Sequence, residues 1–432
     1  MGRRTGRLRT AWTVFAAWSA LAGAALAGAA PADASPDGSV TGYHRIAPGV
    51  RYTEFDIPAA AGVAHAHVVS VDLSDPSVRV DLLHPGAVAA RATVSRLAGA
   101  QGAVAGVNGD FFNITETQHP GVAATGAPVG PAIAGGRTLK AAVPDGQRFG
   151  PALPPGTSTR DVLGVGTDGK ARLDSLALDG SVETAATRLP LGGLNQYALP
   201  VGSVGAFTSD WGSVSRVRAT CGTDTDRAAP CSADTHEVTV RDGVVASTAD
   251  APGSGPITSG STVLVGREAG AQELRKLSVG ERVTVRHQLV AASSGVPYRF
   301  VVGGYPVLRA GKPLAGLDGK TSAVRTAAGV TDGGNRLLLF ALDGAPEFRG
   351  GLTIAEVASA MRDLGSVDAF SLDGGGSTTL VAREPGSASA TVRNHPSGGV
   401  ERPVPNGIGV FSAPAAPAVS SVPSVPSVSS AG

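Results

Sequence analysis

The sequence predicts an α+β or mixed α/β protein: a central mixed sheet with a βαβ unit that carries the functional residues, plus an all-β insertion. Three observations predict it. RLLLFALDG (336–344), a capped amphipathic segment and VDAFSLDG (367–374) follow one another as strand, helix and strand. From about Ala185 to Ala292, short runs such as HEVTVRDGVVAS, STVLVG and ERVTVRHQLV alternate with turn signals. Gly (60) and Pro (30) are abundant in the 432 residues and only 16% are charged, which favours short strands and many turns over a coiled coil or long helical bundle.

Each element of the βαβ unit has a local reason. The two strand runs are apolar and of strand length. Between them, Thr353 and Glu356 have the spacing of a capping box. Ile354, Val357, Ala358, Met361 and Leu364 recur at helical spacing, and Gly365 stands where a left-handed terminating residue belongs. Strands joined by a crossover helix run parallel, so 337–342 and 367–372 are expected to be adjacent and parallel. Their carboxyl ends would then place Asp343 and Asp373, each followed by glycine, on one rim, where open α/β sheets bind ligands. Arg325 is the candidate partner charge for Asp373 on that rim.

The chain opens as an export signal: Arg3, Arg4, Arg7 and Arg9 precede an apolar run from Ala11 to Ala27, with small-x-small cleavage sites before residue 35. A secreted protein with no membrane span after signal cleavage is expected. In that compartment Cys221 and Cys231, the chain's two cysteines, are expected to form a local disulfide. Basic and acidic residues nearly cancel, 36 against 35, which removes the field needed to hold nucleic acid. His65 and His67 share one face of a strand and, without an evident third ligand, read as sheet-surface residues.

Four stretches carry candidate chemistry. Asp373-Gly374-Gly375-Gly376-Ser377-Thr378 offers unhindered N–H groups and hydroxyls to phosphate or sugar oxygens. NGDFFN places Asn108 and Asp110 directly after a buried strand. Arg325-Thr326 precedes the βαβ unit, and NHPSGGVERPVPNG supplies His395, Glu401, Arg402 and Asn406. Arginine suits bidentate phosphate contacts and asparagine suits sugar hydroxyls.

In that order, NGDFFN, VVGGYPVL, AVRTAAGV, ALDGAPEFRGGLTIAEVASAMRDLG, VDAFSLDGGGSTTLV and ERPVPNGIGV resemble the phosphodiester glycosidase family, over roughly Val40 to Phe411. The resemblance implies an exported hydrolase that releases a sugar, N-acetylglucosamine for instance, from a sugar-1-phosphate linkage. A wall or capsular polymer is the expected source of such a glycosyl phosphodiester. By this carry-over Asp373, Asp343 and Asp110 are the catalytic candidates, with Asp373 as base or nucleophile. Asn108, Arg325, Gly374, Gly375, Gly376, Ser377, Thr378, Arg402 and Asn406 would bind substrate. No cofactor is required by the sequence; the carboxylates of Asp110, Asp343 and Asp373 would suit a hard divalent cation such as calcium. The chain departs from the family pattern at Asn394-His395-Pro396-Ser397-Gly398-Gly399, where Asn-x-Pro-Ser-Asp-Gly is expected; an acid is lost and His395 becomes a candidate. Residues 35–184 and 293–412 would form the two parts of a catalytic domain around a β-rich insertion or subdomain at 185–292, with a disordered Pro/Ser/Ala/Val tail at 413–432. A metal-dependent phosphodiesterase that cuts P–O, and a non-catalytic wall-polysaccharide binder, are the rival readings.

Overall fold

The computed structural model describes residues 42–384 and 387–413. The expected signal at 1–34, and the expected tail beyond residue 413, lie outside the described residues. Among the described residues, strands and bridges hold 41% and helices 11%, in sheets of eight, eleven and five strands. The protein is therefore mostly β, and the α+β or mixed α/β class expected from the sequence is overturned. Among the described strand pairs, only Arg188–Leu194 with Val204–Phe207 runs parallel.

The error has one local cause. The helix Ile354–Asp363 is as read: Thr353 Oγ1 accepts from Glu356 N (3.2 Å), the Glu356 carboxylate accepts from Thr353 N (2.8 Å), and Ile354, Val357, Ala358 and Met361 are buried. The strands Arg336–Leu342 and Asp368–Leu372 also form, and they point the same way. They are not neighbours. A third strand, Thr326–Thr331, lies between them and is antiparallel to both, with Thr326 opposite Ala341 on one side and Leu372 on the other. An apolar run reports that a strand is buried and says nothing about what it pairs with. The interposed strand, TAAGVT, is built of small residues that leave little pattern to read.

Two reversals restore direction, so Asp343 and Asp373 still reach one edge, roughly 10 Å apart at two inter-strand spacings. The start of the interposed strand, Arg325-Thr326, lies at that same edge. The sheet extends to Gly62–Asp72 beyond the Asp343 strand and to Tyr305–Arg309 beyond the Asp373 strand. Leu337 to Leu342 are all buried, as are Val68, Val69 and Phe370 opposite or beside them, so apolar burial fixes this edge's position.

The five-stranded sheet interleaves remote segments in the order Ala390–Val392, Leu380–Arg383, Ala105–Asn108, Gly407–Ser412, Val78–Leu83. It sets Gly407 opposite Asn108 and so brings the NGDFFN and VPNG motifs together. The eleven-stranded sheet runs between Ala132 and Gly303 in sequence, and the strands of segment 185–292 belong to it. Cys221 and Cys231 are bonded to each other. Their loop grips the segment before Phe149: Asp224 O accepts from Gly146 N (3.0 Å), Thr223 O and Asp226 O accept from Gln147 Nε2, and Arg227 Nη1 donates to Arg148 O (2.6 Å).

Replacing Thr353 with alanine removes one half of the capping box and should cost about 1 kcal/mol. The expected readout is a lower urea midpoint with an unchanged slope. A midpoint equal to wild type would show that packing alone sets where the helix starts.

Candidate active site

Asp373 sits where the eight- and five-stranded sheets meet. Its N–H donates to Gly109 O (2.9 Å) and its carbonyl accepts from Asn108 Nδ2 (2.6 Å). Asn108 Oδ1 accepts in turn from Thr326 Oγ1 (2.9 Å) and Thr379 N (3.1 Å), and Thr326 Oγ1 lies 3.1 Å from Thr378 Oγ1. One fully buried amide thus joins the Asp373 turn, the interposed strand and the glycine loop. Burial pushes the half-buried Asp373 carboxyl up to about 6, against the pull of the Ser377 hydroxyl and Arg402, while nearby Asp110 adds to the rise. Arg402 Nη1 donates to Ser377 Oγ (3.3 Å), and its guanidinium covers Gly376 so closely that a Cβ there would collide with it.

The glycine loop uses most of its N–H groups on itself. Those of Gly375, Ser377 and Thr378 donate to the carbonyls of Val324, Gly374 and Gly375 at 2.7, 3.1 and 3.1 Å, and the Gly374 N–H acts on the Asp373 carboxylate. The loop shapes and electrostatically steadies Asp373 more than it offers a phosphate cradle. Arg325 is likewise engaged, donating to Leu352 O (3.0 Å) and Thr321 O (2.6 Å). The cation acting on Asp373 is Arg402, not the Arg325 that sequence alone suggests.

Asp343 is buried and belongs to a histidine cluster. Oδ1 accepts from Ala345 N (2.7 Å); Oδ2 lies 2.8 Å from His395 Nδ1 and 3.4 Å from His67 Nε2. Burial would raise the Asp343 carboxyl, but the His395 ring and the N–H groups of Ala345 and His395 outweigh it and hold the carboxyl below its usual range. The same bond raises His395, which projects into solvent. His67, expected on the sheet surface, is buried, and its Nδ1 lies 2.7 Å from Tyr52 Oη. Asn394 ties the Asp343 strand to the end of the glycine loop, donating to Leu342 O (3.2 Å) and Thr378 O (3.1 Å), while Ser397 donates to Gly375 O (3.2 Å). The Asn394–Ser397 stretch therefore spans the rim from Asp343 to the glycine loop.

Asp110 lies deeper. Its N–H donates to Asn406 Oδ1 (2.9 Å) and its Oδ2 accepts from Gly130 N (2.6 Å). The carboxylate presses on Gly303, where any Cβ would collide, so the first glycine of GGYP is obligatory. Two cations missed in the sequence share this floor. Lys140 is fully buried and donates to the carbonyls of Val129, Gly130 and Ala141, one acceptor for each ammonium proton. Burial pushes Lys140 down and Asp110 up, while their mutual attraction opposes both shifts. Arg148 lies over the rings of Phe111 (4.4 Å) and Tyr305 (5.1 Å), with Asp110 and Asp373 both in its field. Neither cation sits in a motif, and their one sequence signal is the Gly- and Pro-rich composition of 115–169, which suggests surface loops of the kind that often carry function.

Asn108, Asp110, Asp373, Gly374, Gly375, Gly376, Ser377, Thr378, Arg402 and Asn406 are thus linked around one turn. Asp343 joins them through Asn394, and Arg325 anchors neighbouring loops. For a metal, the three aspartates are held in separate hydrogen-bond sets. One ligand atom each from Glu54, His65 and His67 lies within 4.8 Å of the others, and Asp56 orients His65 through Nδ1 (2.6 Å). Imidazole donors would suit a borderline ion such as zinc better than calcium.

Asn108→Ala would strand Thr379 N and the Thr326 hydroxyl in a buried place and release the Asp373 carbonyl. Unfolding free energy should fall by about 2–3 kcal/mol. A loss under about 0.5 kcal/mol in urea titration would mean that water replaces the amide.

None of the curated proteins compared matches this chain. Among solved structures, a hypothetical protein from Synechocystis aligns with TM-score 0.64 at 20% identity, covering 84% of this chain and 62% of its own. A Burkholderia pseudomallei protein described as exported aligns with TM-score 0.60 at 23% identity, covering 81% and 74%. The auto-inhibited catalytic domain of zebrafish N-acetylglucosamine-1-phosphodiester alpha-N-acetylglucosaminidase aligns at 16% identity and TM-score 0.41, covering 86% of each chain. These likenesses show a shared fold for the first two, and this chain spans under two thirds of the Synechocystis protein. The model of the phosphodiester glycosidase family matches residues 234–411. The matched segment contains Arg325, Asp343, Asp373 and Arg402, and over it the chain is similar to that family.

Proposed function

We propose that the protein hydrolyses glycosyl phosphodiesters outside the cytoplasm, releasing the sugar by cleavage of its C1–O bond. The observation that supports this most is Asp373: a carboxylate on a solvent-reached rim, raised to about 6 by burial and flanked by Arg402 within the family-matched segment. At neutral pH it is ionised yet basic enough to take a proton. In this reading a water bonds to C1 as its proton passes to Asp373. The C1–O electron pair then leaves with the phosphate monoester, a leaving group that needs little acid assistance. Arg402 and Arg148 offset the anionic charge. Asp343 holds His395 by Nδ1, so that its other ring nitrogen can exchange protons at the rim. Export is supported by the leader and the disulfide; no helix of the described residues is long and apolar enough to cross a membrane.

Hydrolysis in isotopically labelled water tests the bond cleaved. Label in the released sugar supports C–O cleavage, and label in the phosphate overturns it. The second outcome would favour a metal-dependent phosphodiesterase, the reading to which the Glu54, His65 and His67 cluster lends support.

Asp373→Asn should lower kcat on a sugar-1-phosphodiester by about a thousandfold or more. The variant should also melt at or above the wild-type temperature at pH 7.5. Asp373 has a folded-state pKa of about 6 against an ordinary 3.8, so its ionisation costs stability progressively between those values and fully above them. A less stable variant would mean that the charge is needed for folding. Activity should rise with pH through about 6 as Asp373 ionises. Ser377→Ala removes a bond that favours the ionised form and should move that limb to higher pH; an unmoved limb would assign it to another group.

A further inference from the structure

In Arg216, Nε and Nη2 grip Glu237 Oε2 and Oε1 at 2.8 Å each, the side-on, two-point contact that guanidinium makes with oxyanions. Arg148 presents the same edge with nothing in it: Nε and Nη2 are both buried and have no partner among the described residues. The rest of this side chain is fixed. Nη1 donates to Pro151 O, the guanidinium lies over Phe111 and Tyr305, and the backbone carbonyl accepts from Arg227. An unpaired, charged edge in a buried position is costly, and a side chain clamped at every other point cannot turn away to relieve it.

Asp110 has the matching deficiency. Its Oδ1 is buried and unpartnered, although it lies in the field of Arg148. The two do not bond each other, because Gly130 N holds Oδ2 on one side and Pro151 O holds Nη1 on the other. A ligand that satisfied both would carry an anionic group with two oxygens for Arg148 and a hydroxyl donor for Asp110. A simple carboxylate or a neutral sugar meets only part of that demand; a sugar phosphate meets all of it.

We propose that the Nε–Nη2 edge of Arg148 and Oδ1 of Asp110 form a substrate subsite, in which Arg148 takes two oxygens of the phosphoryl group and Asp110 accepts a hydroxyl of the attached sugar. This rests on the glycosyl phosphodiester reading and assigns the phosphate to Arg148 in place of Arg325.

Calorimetric titration of the full chain with a hexose 1-phosphate and with inorganic phosphate tests it directly. The wild type should bind the hexose 1-phosphate more tightly. Arg148→Met should weaken binding of both ligands by about tenfold or more. Arg148→Lys keeps the charge and loses the two-point geometry, so it should still bind the hexose 1-phosphate several-fold more weakly than wild type. If the methionine variant does not fold, the lysine variant carries the test. Wild-type affinity in a folded Arg148→Lys protein, or no phosphate binding by the wild type, would overturn the subsite. Turnover is read separately. Loss of phosphate affinity in these variants, with no glycosyl phosphodiester hydrolysed by the wild type, would keep the subsite and refute the activity. Normal turnover with an unchanged KM in Arg148→Met would refute the subsite and keep the activity.

Discussion

A single buried side-chain amide holds the rim in register. Asn108 comes from the five-stranded sheet, yet its donors and acceptor are taken up by Asp373, Thr326 and Thr379, which belong to the other sheet's edge and to the loop leaving it. A fully buried amide must find its partners inside the protein. That requirement ties the two sheets together at the Asp373 turn. Asn406 and Asn394 do the same work at Asp110 and between the Asp343 strand and the glycine loop. The asparagines of this site are clamps on backbone, and the groups left to meet a ligand are carboxylates, arginines and His395.

The three aspartates show how one residue type is given different chemistry by its surroundings. Asp343 is the stronger acid of the two, because the His395 ring and the N–H groups of Ala345 and His395 favour its anion enough to outweigh burial. Asp373 has fewer such donors and keeps its proton to higher pH. Asp110 is closed off below both, tied by one oxygen and bare at the other. Burial and the donors aimed at each carboxylate together set their order.

Much of this was legible in the chain. The capping box of Thr353 and Glu356, the two strands, and the arrival of Asp343 and Asp373 at one edge all follow from local patterns, because helix caps and buried runs are written in contiguous residues. Strand pairing is not. Thr326–Thr331 slipped between the two runs and made an antiparallel sheet of an expected parallel one, since hydrogen bonding across strands leaves no mark in either strand's sequence. Lys140 and Arg148 were invisible for a related reason. A lone cation in a loop looks solvated until the fold closes over it, and the residues that close over Arg148, Phe111 and Tyr305, lie 37 and 157 positions away by the numbering. His67 misled in the same manner, its strand face being covered by Asp343 from a remote element.

The loop closed by Cys221 and Cys231 has a bearing on when the protein becomes competent. Its carbonyls and Arg227 hold Gly146, Gln147 and Arg148, so cross-linking that loop and seating the Arg148 backbone draw on one set of contacts. Linkage is reciprocal: a bond that favours the ordered loop favours the seated arginine, and an anion gripping that arginine favours the closed loop. Disulfides persist in oxidising compartments and are rare where thiols are kept reduced. With both thiols free, the loop and its hold on the Arg148 backbone would be slacker together, so the redox state of the surroundings reaches this site through a backbone contact.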